Sequence, residues 1–515
     1  MSKNLVLAFT LSLAVYAGWA YWMQKQYPPR KAPAAAAAQG EPRLAENKLA
    51  PSISPKTVPL EGQSPRKSAP LAGIPFRTPE TELMFSPRGA GIASFQYFGP
   101  VSIAELVPHS EPGFFATMTD VEFRLKERTN DAITFTAEPA RGVVVEKVFR
   151  WSGNGLGSIT ITAVNRTAKS VELPAWGMHL GPGIGTVATE KEENPKLWKA
   201  VYVAKQEGRK NPVVNDLSSK KPQDGWLWAG VDNRYFLAAI IPQNWRAGDI
   251  AYAKKEDAPS LYAVADNAVL QPGQPKTWSV QFYFGPKDYR QLTSLGHGLD
   301  RAVDFGFFGP LGKFIMKILY FNHKITGNYG WAIILLTLLV QAVMFPLTLK
   351  SFKANLIMRK IQPKLQEIQK RNKDNPQRMN AEMMELYKKQ GANPFGGCLP
   401  MLLQLPVFVA LFTALRNSWD LHGAHFMLWI GDLSAKDPYY VLPIVMGGIM
   451  FFQNKMTLAT QGTDPSQAAV MKWMPVIFTF MFLSFPSGLV LYWLVSNVIG
   501  FGQQLYLQRK MEGTV

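Results

Sequence analysis

The chain has 515 residues, a formal net charge of +18 and 47% hydrophobic residues. That length accommodates two or three domains, and strong basic charge beside long apolar runs fits a membrane protein with basic flanks better than a soluble nucleic-acid binder. Its single cysteine, Cys398, excludes an internal disulfide and a cysteine-rich zinc site, so any exported part folds without a covalent staple.

The first apolar run is LVLAFTLSLAVYAGWAYWM, residues 5–23. It reaches about 28 Å as a helix, enough to cross a hydrocarbon layer of ~30 Å. A cleaved signal peptide is the rival reading, with Gly18-Trp19-Ala20 as the processing site. The length of the run and its bulky end, Tyr21, Trp22 and Met23, favour a retained anchor. Residues 24–73 are rich in Pro, Ala and Ser without periodicity, as in PPRKAPAAAAAQGEP, and read as a disordered linker.

Short alternating stretches then recur over residues 74–287: VEFRLKER (121–128), AITFTAEP (132–139), GVVVEKVFRW (142–151), GSITITAVNRT (157–167), RYFLAAIIP (234–242) and TWSVQFYFGP (277–286). Turn residues such as SGNG and QPGQP separate them. Alternation on this scale, with no 20-residue apolar run, predicts a large antiparallel β-sandwich in water. Residues 288–328 form an interfacial segment in which 313–320, flanked by lysines, predicts an amphipathic helix on the membrane surface.

Five further spans are expected at residues 329–349, 398–415, 439–452, 474–485 and 488–505, the last two separated by the turn FPSG (485–488). Between the second and third spans, residues 350–389 hold eleven Lys/Arg against four Asp/Glu; between the third and fourth, 417–438 hold one Lys against three Asp. The basic loop therefore faces the cytosol, and parity places the β-domain outside with both termini inside. The fold class is thus an α-helical membrane protein of six transmembrane helices plus a large antiparallel β-sandwich domain. Residues 506–515 form a short cytosolic tail.

The basic loop, 350–392, predicts a helical hairpin. Ile357, Ile361, Leu365 and Ile368 share one helical face; Met379, Met383, Leu386 and Tyr387 share another. Asn375 caps the second helix with Pro376 at its first position, and Pro363 is a candidate kink in the first. Its exterior, Arg359, Lys360, Lys364, Lys370 and Arg371, suits either lipid headgroups or the phosphates of ribosomal RNA or a targeting particle.

Polar residues interrupt the spans at particular depths. Gln341 lies twelve residues from Tyr329 and nine from Lys350. Gln404 lies near the cytosolic end of the third span, and Ser496 and Asn497 in the sixth. Thr337 sits in the outer half. Polar groups in hydrocarbon must meet one another or water, so this set predicts a wet cavity open to the cytosol, against a bland alternative of scattered interhelical hydrogen bonds. The fifth span has only twelve uninterrupted apolar residues, which favours local bilayer thinning.

The stretches VMFPLT (343–348), NPFGGCLPMLLQLPVF (393–408), DLSAKDPYYVLPIVMG (432–447), MPVIFTFMF (474–482) and FPSGLVLYWLVSN (485–497) occur in order. On these, the chain resembles the YidC/Oxa/Alb family of membrane-protein insertases, in the Gram-negative form with a large periplasmic domain. The resemblance implies a five-helix insertase core at 329–505 in the inner membrane, and insertion of proteins through a hydrophilic groove without nucleotide hydrolysis or cofactor. It implies the partners: nascent membrane proteins, the Sec translocon, the ribosome and signal-recognition machinery, and membrane lipids. It also nominates a substrate slide on the third and fifth helices, here Leu402, Leu405, Phe408, Phe412, Ile477, Phe478 and Met481. One departure stands out: the family commonly places a groove arginine where this chain has Gln341, and Arg416 is expected near the outer surface, too far to replace it.

Three other readings compete with this one. A mutarotase-like enzyme would use His109 or His179, but no His–carboxylate motif accompanies them. A solute transporter should show an inverted repeat, and none is evident. Asp420, His422 and His425 could hold a metal weakly, with a plain loop the better reading.

Overall fold

The computed structural model describes residues 73–512, apart from 101, 110, 206–212, 220, 221, 223, 224, 245–249, 256, 392–398 and 462–464, and leaves the side chains of 399–403, 457–461, 465–471, 511 and 512 undescribed. The expected first span, the linker and the side chain of Leu402 lie outside the described residues.

Period-two alternation builds the β part. Strand Leu156–Asn165 alternates half-buried and buried positions along its whole length, as a strand covered on one face must. It belongs to a nine-stranded sheet ordered Val214–Asp216, Lys199–Ala204, Trp226–Asp232, Phe236–Pro242, Pro275–Pro286, Leu156–Asn165, Val143–Gly153, Ala132–Ala140 and Arg124–Arg128. Two four-stranded sheets accompany it: 74–105, a meander of neighbouring strands, and Ile250–Lys255, Ala258–Ala265, Trp176–Leu180 and Ala116–Thr117. All pairings between these strands are antiparallel. A phenylalanine-rich core that includes Phe85, Phe135, Phe149, Phe282 and Phe284 fills the space between them. The stretch at 121–128 joins the nine-stranded sheet only from Arg124, as an edge strand with every residue exposed, while Glu122 bridges Arg88 instead. Charge on an exposed edge discourages pairing with another chain.

Helices α1 (Asn194–Leu197) and α2 (Tyr289–Leu295) are short, and Asp288 caps α2 by accepting from the backbone N–H of Arg290 and Gln291. The amphipathic helix α3 runs Gly309–Thr326, longer at both ends than 313–320; Ile315, Met316 and Leu319 are buried while Phe314, Phe321 and Ile325 are exposed. Helix α4 (Tyr329–Arg371) is 43 residues long. The second span and the first arm of the hairpin are therefore one helix of roughly 65 Å, not two elements meeting near 350. Beyond Gly330 in its first turn no glycine or cap occurs along it, and both Pro346 and Pro363 are carried inside. Helix α5 (Pro376–Lys389) starts as expected, with the Asn375 side chain accepting from Arg378 N–H. The hairpin core is Ile361 and Leu365 against Met358, Met383, Leu386 and Tyr387. Ile357 is exposed instead of joining it.

Helices α6 (Leu399–Arg416), α7 (Val441–Gln461), α8 (Pro465–Phe482) and α9 (Ser487–Glu512) complete the helical part. The turn between α8 and α9 occupies 483–486 rather than 485–488, because Ser487 N–H and Oγ both bond the Ala435 carbonyl at 2.7 Å and start α9 early. Among the described residues only α4 is long and apolar enough to cross a membrane by length and composition; Gln404–Arg416, Val441–Met456 and Lys472–Phe482 are shorter apolar helices. Helix α9 has the length, but Ser496, Asn497, Gln503 and Gln504 dilute its apolar character.

Candidate functional site

Gln341 is a buried residue of α4, and its amide Nε2 donates to Ser496 Oγ on α9. From α6, Gln404 Nε2 reaches the same oxygen at 3.5 Å. A hydroxyl oxygen carries two lone pairs, so Ser496 accepts from two helices and ties three together. Next along α9, the Asn497 amide nitrogen is buried and has no hydrogen-bond partner among the described residues. One turn further, Gln453 of α7 approaches: a Cβ added at Gly500 would lie 3.8 Å from its Nε2. Four helices thus contribute polar side chains near one stretch of α9. Thr337 stays apart from them. It is fully buried, but its hydroxyl donates to the Ile333 carbonyl at 2.7 Å within its own helix, as threonine commonly does in helices.

On the side of the 483–486 turn the polar set gives way to rings. Trp493, three residues before Ser496, packs edge-on to Phe408 of α6 at 4.6 Å and lies 5.2 Å from Phe482 of α8. Phe412 meets Phe485 at 5.7 Å, and Phe482 meets Phe485 at 5.0 Å. Amide below and aromatic above is the local pattern. Of the expected slide residues, Phe408, Phe412 and Phe478 belong to this packed layer, whereas Leu405, Ile477 and Met481 are exposed on the helix surfaces. Trp493 is legible in the sequence as an aromatic of the outer half, but Phe482, which organises the layer with it, carries no distinguishing signal; aromatic residues near a span's end look the same whether they face lipid or a neighbouring helix.

The hairpin presents Arg359, Lys360, Lys364, Lys370 and Arg371 on its exposed surface. Arg371 is paired with Glu382 at 2.7 Å, and hydrogen bonds from Arg371, Asn372 and Arg378 hold that carboxylate down at about 2. Glu382 therefore keeps its charge well below neutral pH.

The β part is joined to the helices through the loop after α6. Trp419 inserts among Phe236 (5.1 Å), Tyr235 (6.0 Å) and Tyr97 (6.0 Å). Arg416 lies over the Phe412 ring at 5.6 Å and reaches Glu193 of the β part at 3.6 Å. Asp420 accepts from Arg290 at 2.9 Å, Tyr320 at 2.9 Å and Tyr329 at 3.1 Å. Its carboxylate is thereby committed to this latch, and the described residues contain no metal-ligand cluster. His179 is likewise a core residue: its Nδ1 lies 3.1 Å from the Gly113 carbonyl, its ring packs on Tyr262, and burial pulls its pKa down to about 4.

Two family descriptions match adjoining parts of the chain: "YidC periplasmic domain" over residues 79–320 and "60Kd inner membrane protein" over 321–514. A protein of Geotalea daltonii named membrane protein insertase YidC is 34% identical, over 99% of this chain and all of its own length. The chain belongs to the YidC family. Another relative of that name, from Endomicrobium trichonymphae, is 39% identical over 86% of both chains. Among solved structures, an active YidC insertase with its first transmembrane domain resolved matches at 18% identity and a TM-score of 0.38, over 84% of this chain and 91% of its own. YidC membership accounts for the architecture: a β-rich periplasmic domain followed by a helical core.

Proposed function

We propose that this YidC-family chain is an inner-membrane insertase whose cytosol-open groove is built around Gln341, Gln404 and Ser496. In this reading five helices, α4 and α6 to α9, cross the bilayer together with the N-terminal run at 5–23. The hairpin of α4 and α5 projects into the cytosol and the β-domain into the periplasm. The charge asymmetry between the loops at 350–389 and 417–438 carries that orientation.

The observation that carries the groove is the shared Ser496 oxygen. An unsatisfied polar group in hydrocarbon costs several kcal/mol, while each interhelical hydrogen bond contributes only ~0.6 kcal/mol. Three amides on one stretch, with Asn497 left over, are therefore better served by water entering from the inner face than by mutual pairing alone. Such a hollow can hold the polar flank of an incoming chain and lower the cost of moving it. The ring layer around Trp493 closes the hollow toward the periplasm.

A hydrophobic segment then moves along Leu405, Ile477 and Met481, while its flank rests at the amides. Burial of the segment in lipid, worth about 25 cal/mol per Å², drives the step without nucleotide hydrolysis. The basic hairpin receives the phosphate-rich surfaces of the ribosome or targeting particle, and the Sec translocon shares clients with the lipid-facing side. Photocrosslinkers at Gln341 and Gln404, probed with a stalled nascent membrane protein, test the route. Crosslinks from both positions are expected; labelling only from outward-facing positions such as Val343 would overturn it.

A further inference from the structure

The loop between α6 and α7 carries two apolar tips held under backbone strain. Leu428 is 74% exposed at φ +53°, next to the exposed Met427. Tyr439 is 68% exposed, and its neighbour Tyr440 is also exposed, at φ +56°. Left-handed backbone disfavours any residue with a Cβ, and water disfavours a bare leucine. Neither cost is expected to persist without a compensating role.

The tips are not loose. Phe426 N–H bonds the Ile430 carbonyl at 3.0 Å and Ile430 N–H bonds Met427 at 3.1 Å, closing the first turn. Asn328 Nδ2 donates to the carbonyls of His425 and Phe426, both at 3.0 Å. The Phe426 ring packs against Gly330. One buried carboxylate ties the tips together: Asp437 Oδ1 accepts from Trp429 Nε1 and from Tyr439 N–H, both at 3.0 Å, while Oδ2 caps α7 through Leu442 N–H at 2.7 Å. The apolar surface also continues down the helices, through Ile444 and Val445 of α7 and Trp331 and Leu335 of α4.

We infer that Met427–Leu428 and Tyr439–Tyr440 form a two-pronged anchor that enters the outer leaflet at the boundary between headgroups and acyl chains. Leucine and methionine supply the apolar ends, and the tyrosine hydroxyls suit the polar side of that boundary. Because Asp437 fixes both prongs to the start of α7, the anchor sets the height of the outer leaflet against the helical core. The occupant is lipid: this rests on the topology proposed above, in which the exposed apolar residues that follow the tips, Ile444 and Val445 of α7 and Trp331 and Leu335 of α4, face the acyl chains.

The test uses the full chain with Cys398→Ser, a nitroxide attached at Leu428→Cys, and phospholipid vesicles at high lipid-to-protein ratio. Accessibility to oxygen and to a water-soluble nickel chelate is compared with labels at Ile444 (lipid-facing) and Arg124 (exposed edge strand). An oxygen-to-nickel ratio at 428 several-fold above that at 124, approaching that at 444, is expected. A nickel-favoured ratio like that at 124 would place the loop in water and overturn the anchor. Protection from both reagents would mean coverage by protein and would overturn it equally. Leu428→Asn, which tolerates the left-handed turn, supplies the second measurement. It should make a label at Tyr439 shallower, and an unchanged depth there would refute the linkage between the prongs.

Discussion

The β-domain and the helical core both bury polar groups, but they satisfy them differently. Lys147, fully buried in the β-domain, donates to the carbonyls of Gly89, Ala90 and Phe115 at 2.6–3.1 Å and to Thr117 Oγ1 at 3.1 Å. Two backbone segments, 89–90 and 115–117, converge on that one nitrogen, and each turns through a left-handed residue, Ala90 or Phe115. In the helical core the corresponding centre is a single hydroxyl shared by two amides, one at the limit of hydrogen-bond distance, with another amide left over. A saturated donor fixes a fold. An under-saturated set leaves capacity for water or a passing chain.

Breaking the saturated centre should have the largest effect. Lys147→Met leaves the Ala90 and Phe115 carbonyls without a donor, while Gly89 keeps the Thr117 N–H; at roughly 1–3 kcal/mol each, a loss of about 4 kcal/mol is expected in denaturant unfolding of the β-domain within the full chain. Loss below about 1 kcal/mol would show that the turns hold themselves.

The next effect is a pH dependence from the same domain. Burial depresses the folded pKa of His179 to about 4 from 6.5. The unfolded chain therefore takes up a proton that the folded chain refuses, and stability is fully present above pH 6.5 and lost as pH falls toward 4. The total is about 3 kcal/mol at 1.36 kcal/mol per unit. His179→Gln should flatten that slope in unfolding curves measured across the window; an unaltered slope would assign it to other groups.

How much of this was legible in the sequence depends on what each signal encodes. Alternation exposed the strands covered on one face, such as Leu156–Asn165, but Trp226–Asp232 is buried at nearly every position and carries no alternation to read. Gln341 stood out because an amide is costly in an apolar run. That it meets Ser496 was not legible, since the rotation of α9 about its axis is set by packing. Thr337 looked equivalent to Gln341 on polarity alone. Its short side chain reaches its own helix backbone, whereas a glutamine amide must look elsewhere. Of the expected hairpin faces, Ile361, Leu365, Met383, Leu386 and Tyr387 pack together, whereas Ile357 is exposed and its neighbour Met358 joins the core in its place.

Smaller effects are expected in the helical core, where the centre is already incomplete. Gln341→Leu removes one donor from Ser496 but leaves Gln404, so stability should change by less than about 1 kcal/mol. Insertion is the sensitive readout. Clients with charged periplasmic segments should insert several-fold less efficiently, because their flank loses an amide to rest on, while clients without such segments should be unaffected. Equal insertion of both classes would remove Gln341 from the route.

Gln341→Arg gives the smallest expected change and the sharpest reading of water. The family resemblance puts an arginine at this position, and here the Ser496 hydroxyl oxygen can accept from a guanidinium as it does from the amide. In a dry bundle a charge at mid-helix costs about 2.5–3.5 kcal/mol on insertion scales, enough to lower accumulation of folded protein. If water reaches the amides, that cost largely disappears, and the variant should accumulate and insert clients at the unmodified level, with any gain confined to clients bearing acidic flanks. Poor accumulation of Gln341→Arg alongside normal accumulation of Gln341→Leu would mean that the amide centre is sealed from solvent, and the contrast between a fixed β-domain staple and an exchangeable helical groove would fail at its second half.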